Sequence, residues 1–117
     1  MNTTKINVRD GTIFVPSSGP YFLYSRVEFN ANVNSTEPII DFISHALRYS
    51  NTGHHYRNLI ANKIKFESHL NLISHVSYLE KIEYLEGGSH IKIALDLPQH
   101  VDMKPGMTMG TFGMFRL

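Results

Sequence analysis

"GPYFLYSRVEF", residues 19–29, decides how the rest of the chain is read. In an extended strand successive side chains point to opposite faces, so Tyr21, Leu23, Ser25, Val27 and Phe29 share one side. That row is ordinary core, with Ser25 a small packing residue in it. The other row runs Phe22, Tyr24, Arg26, Glu28, and it sets two bulky aromatics where a solitary sandwich would meet water. A strand that is apolar on both faces needs two covers, one inside its own domain and one supplied by another molecule.

The same rhythm continues on either side. Gly, Pro and Asx clusters punctuate the chain at short intervals and period-two patterns fill the space between, which predicts an all-β sandwich or barrel. Upstream, Ile6 and Val8 precede Arg9-Asp10-Gly11-Thr12, and Ile13 and Val15 follow; Asp-Gly suits a tight turn, so an opening hairpin is expected. Downstream, residues 31–38 read as a polar loop. Residues 39–50 fit two periods: Ile43, Leu47 and Tyr49 suit a strand, while Phe42, Ile43, Ala46 and Leu47 would stripe a helix. Strand neighbours favour the strand.

After the loop "NTGHHYR" (51–57), Ile60, Ile64 and Phe66 alternate, and a connection is expected around 67–75. Val76 to Leu85 then puts Tyr78, Ile82 and Tyr84 on one face. Glu86-Gly87-Gly88-Ser89 turns the chain into His90 to Leu97, apolar at every odd number. Residues 98–106 read as a loop. The last strand, Met109 to Leu117, carries Phe112 and Met114 on one side and Phe115 and Leu117 on the other, so it too needs two covers.

Composition narrows the function classes. One domain of 117 residues, 42% hydrophobic, can bury a single core. Eleven basic against ten acidic residues leave a net charge of +1, and the basic residues form no stripe, which argues against a nucleic-acid partner. The chain has no cysteine, so neither disulfides nor thiolate sites are available. No apolar run reaches the length of a membrane span and no signal-peptide pattern is present. Asn2-Thr3-Thr4 and Asn34-Ser35-Thr36 fit the N-glycosylation pattern, with Asn34 the candidate acceptor.

Seven histidines invite a metal hypothesis, with His45, His54, His55, His69 and His75 close in sequence. Their spacing matches no ligand motif, and solvated or hydrogen-bonded histidines are the expectation. No phosphate-binding glycine loop and no nucleophile elbow occurs, so no catalytic residue, metal or cofactor is assigned. The reading is a protein that is not an enzyme.

Three segments together resemble one family. "VRDGTIFVPSSGPYFLYSRVEF" (8–29) is similar to the stretch of tumour necrosis factor family ligands in which a Pro-Ser-x-Gly turn leads into a G-x-Y-x-x-Y-S-x-V strand. "SYLEKIEYLEGGSHIKIALDLP" (77–98) resembles their Tyr-Leu strand, glycine turn and alternating strand, and "GTFGMFRL" (110–117) their closing F-G-x-x-x-L. The likeness spans most of residues 8–117 and is thinnest over 31–76.

The resemblance implies a jelly-roll β-sandwich of two antiparallel sheets that forms a homotrimer and binds a cysteine-rich ectodomain of the tumour necrosis factor receptor family. Such a cytokine would be extracellular, secreted or shed from a type II membrane precursor, with a membrane reached only through an anchor upstream of this chain. Family domains usually open with a further strand, so the resemblance implies that the first strand is missing and a sheet edge is left to be covered.

Carried over residue by residue, the trimer interface would comprise Phe22, Tyr24, Arg26, Tyr78, Glu80, Thr111, Phe115 and Leu117. Thr111 stands where some members have an axial tyrosine. Glu80 stands where several have a small residue, and Arg26 is its expected counter-charge. Receptor contact would fall to His55, Tyr56 and Arg57 in the loop between the middle strands and to Asp102 after Pro98. The alternatives are a C1q-like trimeric recognition domain and a cupin-like jelly roll that gathers histidines around a metal. A loop tyrosine such as Tyr56 can also fold back onto a strand.

Overall fold

The computed structural model describes residues 3–7, 12–35, 37–68, 72–98, 101–103 and 109–117; strand β1 and residues 39, 68, 72, 102, 103 and 109 are described as backbone. The described residues form two antiparallel sheets and no helix. The first sheet holds β1 (Thr3–Asn7), β9 (Met109–Arg116), β3 (Gly19–Val33) and β6 (Leu72–Leu85) in that order, and β8 (Val101–Met103) pairs with β3 beyond the end of β9. The second runs β2 (Thr12–Phe14), β7 (His90–Asp96), β4 (Ile39–Ser50), β5 (Arg57–Ser68). The molecule extends 50 × 23 × 20 Å.

Alternation along β3 is complete: odd positions from Tyr21 to Val33 are buried, and even positions are half-buried or exposed. This extends the strand three residues into the expected 31–38 loop, because Ala31 and Val33 continue the inward row and β8 gives them a pairing partner. β8 also breaks the loop expected over 98–106. Similarly, β5 runs to Ser68 and β6 starts at Leu72, so the connection expected over 67–75 shortens to three residues.

The expected opening hairpin does not form. β1 pairs with β9, from Thr3 opposite Phe115 to Asn7 opposite Thr111, whereas β2 pairs with β7 in the other sheet. A hairpin would have placed both in one sheet; instead the chain crosses between layers, and β1 covers the free edge of β9. Residues 39–50 are indeed a strand, because β5 and β7 flank β4 on both sides and satisfy its backbone groups, which overrides the helical stripe.

Register slips once. Leu47 faces Ile60 but Arg48 faces Asn58, leaving Leu59 as the extra residue of a β-bulge. The bulge turns Leu59 inward to 7% exposure, and its carbonyl accepts a 3.0 Å hydrogen bond from Lys81 Nζ of the opposite sheet.

Two apolar clusters fill the sandwich. One gathers Tyr21, Leu23, Leu47, Ile91, Phe112 and Met114, and the other Val27, Phe29, Ile43, Ile64, Phe66 and Val101. Met114 is core filler, as its phase with Phe112 suggested. Between the clusters Ser25, His45 and Ser77 are buried as well. Ser25 is therefore more than a packing residue: its Oγ lies 2.8 Å from His45 Nε2.

At the β2 end the chain is tied down by short contacts. Val15 exchanges backbone bonds with Ser89 and Gly88 at 2.9 and 2.8 Å. Arg116 lies over the backbone of Gly19, where a Cβ would sit within 2.5 Å of the guanidinium, and its Nη1 donates to Ser17 Oγ at 2.6 Å. A side chain at position 19 would make the flexible Arg116 arm swing aside.

Candidate functional site

The outer face of the first sheet carries the even row of β3, the even row of β6 and the odd row of β9. Backbone register sets Phe22 between Ile82 and Phe115, Tyr24 opposite Glu80, and Arg26 between Tyr78 and Thr111. Phe22 and Phe115 stack with centroids 5.0 Å apart, and Phe22 and Tyr24 lie 6.3 Å apart. Beside them Tyr78, Ile82, Tyr84 and Leu117 are 54, 62, 66 and 56% exposed. The structure thus gathers on one surface all eight residues named for the trimer interface. Val76 joins them, as do Ile82 and Tyr84, which the alternation of β6 had already put on the Tyr78 face; Val76 shares that parity.

Two charged groups on this face do not pair as expected. Arg26 Nη2 meets Glu28 Oε2 at 3.5 Å, and Glu80 Oε2 accepts from the Tyr78 hydroxyl at 3.1 Å, so no Arg26–Glu80 ion pair forms within the chain. Residues two apart on one strand point the same way, and each charge takes that nearest neighbour. Desolvation, together with the hydrogen bond and charge of Glu80, raises the Tyr78 hydroxyl above its ordinary pKa.

A second feature lies at the end of the other sheet. The loop after β4 and the start of β5 wall an open cleft of about 490 Å³ with Tyr49, His55, Tyr56, Arg57 and Glu86. His55 and Arg57 are exposed, while Tyr56 is half-buried. Tyr56 leans back on β7, where Lys92 Nζ sits 3.9 Å from the centre of its ring. Arg57 stacks over Tyr49 at 5.0 Å, and Tyr49 is itself anchored by a 3.0 Å bond between its hydroxyl and Ser89 Oγ. Reading the sequence missed Tyr49, at the end of β4 just before the loop and opposite Arg57, and Glu86, from a turn distant in the chain. The side chain of Asp102 lies outside the described residues; its backbone pairs with Asn32.

Gly53, at φ 84°, shapes the loop: a Cβ there would stand 3.0 Å from the His90 ring. Ser50 Oγ accepts from the amides of Thr52 and Gly53 at 3.2 and 2.8 Å and holds the turn from inside. Asn34 is exposed just after β3 ends, and Ser35 Oγ bonds the backbone of Glu37.

Among the described residues no group of three His, Cys, Asp or Glu side chains could hold a metal. His45, the most buried of the described histidines, is engaged on both ring nitrogens by Ser25 and Ser77 at 2.8 Å each. Burial lowers its pKa from 6.5 to about 4. His69 and His100 lie outside the described residues.

The model of the tumour necrosis factor family matches residues 1–117, the whole length of the chain. The chain belongs to that family. A sequence search against curated proteins returns no match. The family is one of cytokine ligands, not of enzymes, and its members are trimers that bind receptors outside the cell. The all-β, two-sheet architecture agrees with its jelly roll, and the family match favours this reading over the C1q-like and cupin-like alternatives. Among the described residues no helix is long and apolar enough to cross a membrane.

Proposed function

We propose that this chain is a homotrimeric cytokine that clusters a cysteine-rich receptor ectodomain of the tumour necrosis factor receptor family at the cell surface, and that it is secreted or shed from a type II membrane precursor. The observation that carries the reading is the aromatic face of the first sheet, where the Phe22–Phe115 stack lies beside Tyr78, Ile82 and Tyr84, each more than half exposed. A soluble domain seldom leaves so continuous an apolar surface open to water.

Threefold assembly would cover this face with the same face of neighbouring copies. Burial contributes roughly 25 cal/mol per Å² of apolar area, offset by the entropy of association. Phe22, Tyr24, Arg26, Tyr78, Glu80, Thr111, Phe115 and Leu117 then form the seam. Arg26 and Glu80, unpaired with each other inside one chain, would find opposite charge across it, since a charge buried without a partner costs several kcal/mol, on the order of 3–5.

Receptor contact is assigned to His55, Tyr56 and Arg57 around the cleft and to Asp102. Arginine and tyrosine held against a rigid strand lose little entropy on binding, and here Tyr49 and Lys92 hold them. Asn34, exposed beyond β3, is the proposed carbohydrate acceptor. Light scattering on a sizing column, with dilution from micromolar to nanomolar, tests the assembly: the expected mass is three times the 13.4 kDa chain. A folded monomer throughout that range would overturn the proposal.

A further inference from the structure

Ser25 and His45 stand at the separation of a nucleophile and its base, yet both are 0% exposed, so no substrate reaches them. What they do is join the layers. Ser25 belongs to β3 and Ser77 to β6 in the first sheet, while His45 belongs to β4 and Asn62 to β5 in the second. His45 Nε2 meets Ser25 Oγ and His45 Nδ1 meets Ser77 Oγ, both at 2.8 Å, and Asn62 Nδ2 donates to Ser77 Oγ at 3.1 Å. This network crosses the sandwich at the boundary between its two apolar clusters.

Proton bookkeeping makes the network sensitive to acid. With Asn62 donating to Ser77, the Ser77 hydroxyl proton is free to point at Nδ1, and Nε2 carries the ring proton toward Ser25. A second ring proton, on Nδ1, would confront the Ser77 hydroxyl proton, so Ser77 must turn and accept from Nδ1 through its second lone pair, which leaves its own proton without the acceptor it had. The imidazolium would also sit in an apolar interior without a counter-charge.

The inward rows around the ring bear this out. They present Leu23 and Val27 from β3, Ile43 and Leu47 from β4, Leu95 from β7, Leu79 from β6 and Phe112 from β9. The ionisable groups on those rows stand further along. Asp41 is bonded to the amide of Phe42 at 2.8 Å, His75 is exposed, and Lys81 and Glu83 pair with each other at 3.3 Å.

We propose that His45 is an acid-sensitive keystone of this domain: when neutral it ties the two sheets together, and its protonation weakens that tie by setting an unpaired charge in the apolar interior, loosening β3 and β6 directly behind Tyr24 and Tyr78. The sign follows from linkage. The imidazole falls from 6.5 in the unfolded chain to about 4 in the fold, so the unfolded state binds the extra proton first. Stability is whole above 6.5 and is lost as pH falls toward 4. Between pH 7.5 and 5 the folding equilibrium constant drops about 30-fold on this account.

Denaturant unfolding at the two pH values, for the native chain and for His45→Gln, tests the proposal. Gln keeps a polar side chain but does not titrate, so its equilibrium constant is expected to fall by about 30-fold less. An equal fall in both proteins overturns the proposal. Because glutamine cannot reproduce both ring-nitrogen bonds, imidazole NMR on the native protein gives a second reading: one of the seven histidines should stay neutral to about pH 4 while the fold persists. If all seven are charged at pH 5 in the folded protein, His45 is not the keystone.

Discussion

The two sheets share one core and differ on their outer faces. On the first, apolar side chains from three strands are neighbours in register, with Phe22 between Phe115 and Ile82. On the second, Arg48 bridges Asp96 at 2.9 Å and Asn58 at 3.1 Å, and Lys63 and Lys65 point outward from β5. Exposed apolar residues occur there too, but apart. Phe14 lies on the edge strand near the Ser50 end of β4, and Ile40 and Phe42 lie at the opposite end. Exposure alone thus carries little information, since much of any protein surface is apolar; contiguity across neighbouring strands is what distinguishes the first sheet and supports the proposed seam.

The sharpest way to break that contrast is charge on the first sheet. Tyr24→Asp or Tyr78→Asp would place three carboxylates in a low-dielectric seam, and the expected outcome is a loss of the threefold mass at micromolar concentration. Lys65→Asp, on the outer face of the second sheet, should leave the mass unchanged. If both behave alike in light scattering, the faces do not differ in the way described.

A core substitution should not distinguish the faces at all. Leu23→Ala, at a residue with 0% exposure, is expected to cost about 2–5 kcal/mol in denaturant unfolding. A smaller effect concerns the cleft. Tyr56→Ala should keep the assembly and weaken binding to the cognate receptor by about tenfold or more in surface-binding kinetics. Unchanged affinity would remove Tyr56 from the receptor site. Smallest of all, Asp96→Ala breaks an exposed ion pair and should shift stability by less than about 1 kcal/mol.

Much of this contrast is legible in the alternation of β3, β6 and β9, because an aromatic at an even position of β3 cannot share the side of Leu23 and Val27. Eight candidate seam residues from three distant segments do fall on one surface. The cleft was less legible. His55, Tyr56 and Arg57 are adjacent in the chain, but Tyr49 and Glu86 reach them only through the fold, and Tyr56 lies back on Lys92 instead of standing clear. The His45 network gave no local signal, since Ser25 and Ser77 lie 20 and 32 positions from His45.

By itself, then, the sequence determined the middle of most strands and which of their faces are apolar, because side-chain alternation is a local property of an extended backbone. Tertiary structure decided which strands pair. Asp10-Gly11 suits a hairpin, but β1 and β2 each found a long-range partner in a different sheet, and β3 continued past Asn30 because β8 was there to pair with it. Those choices depend on burial and backbone hydrogen bonds shared between segments far apart in the chain, and no local pattern encodes them.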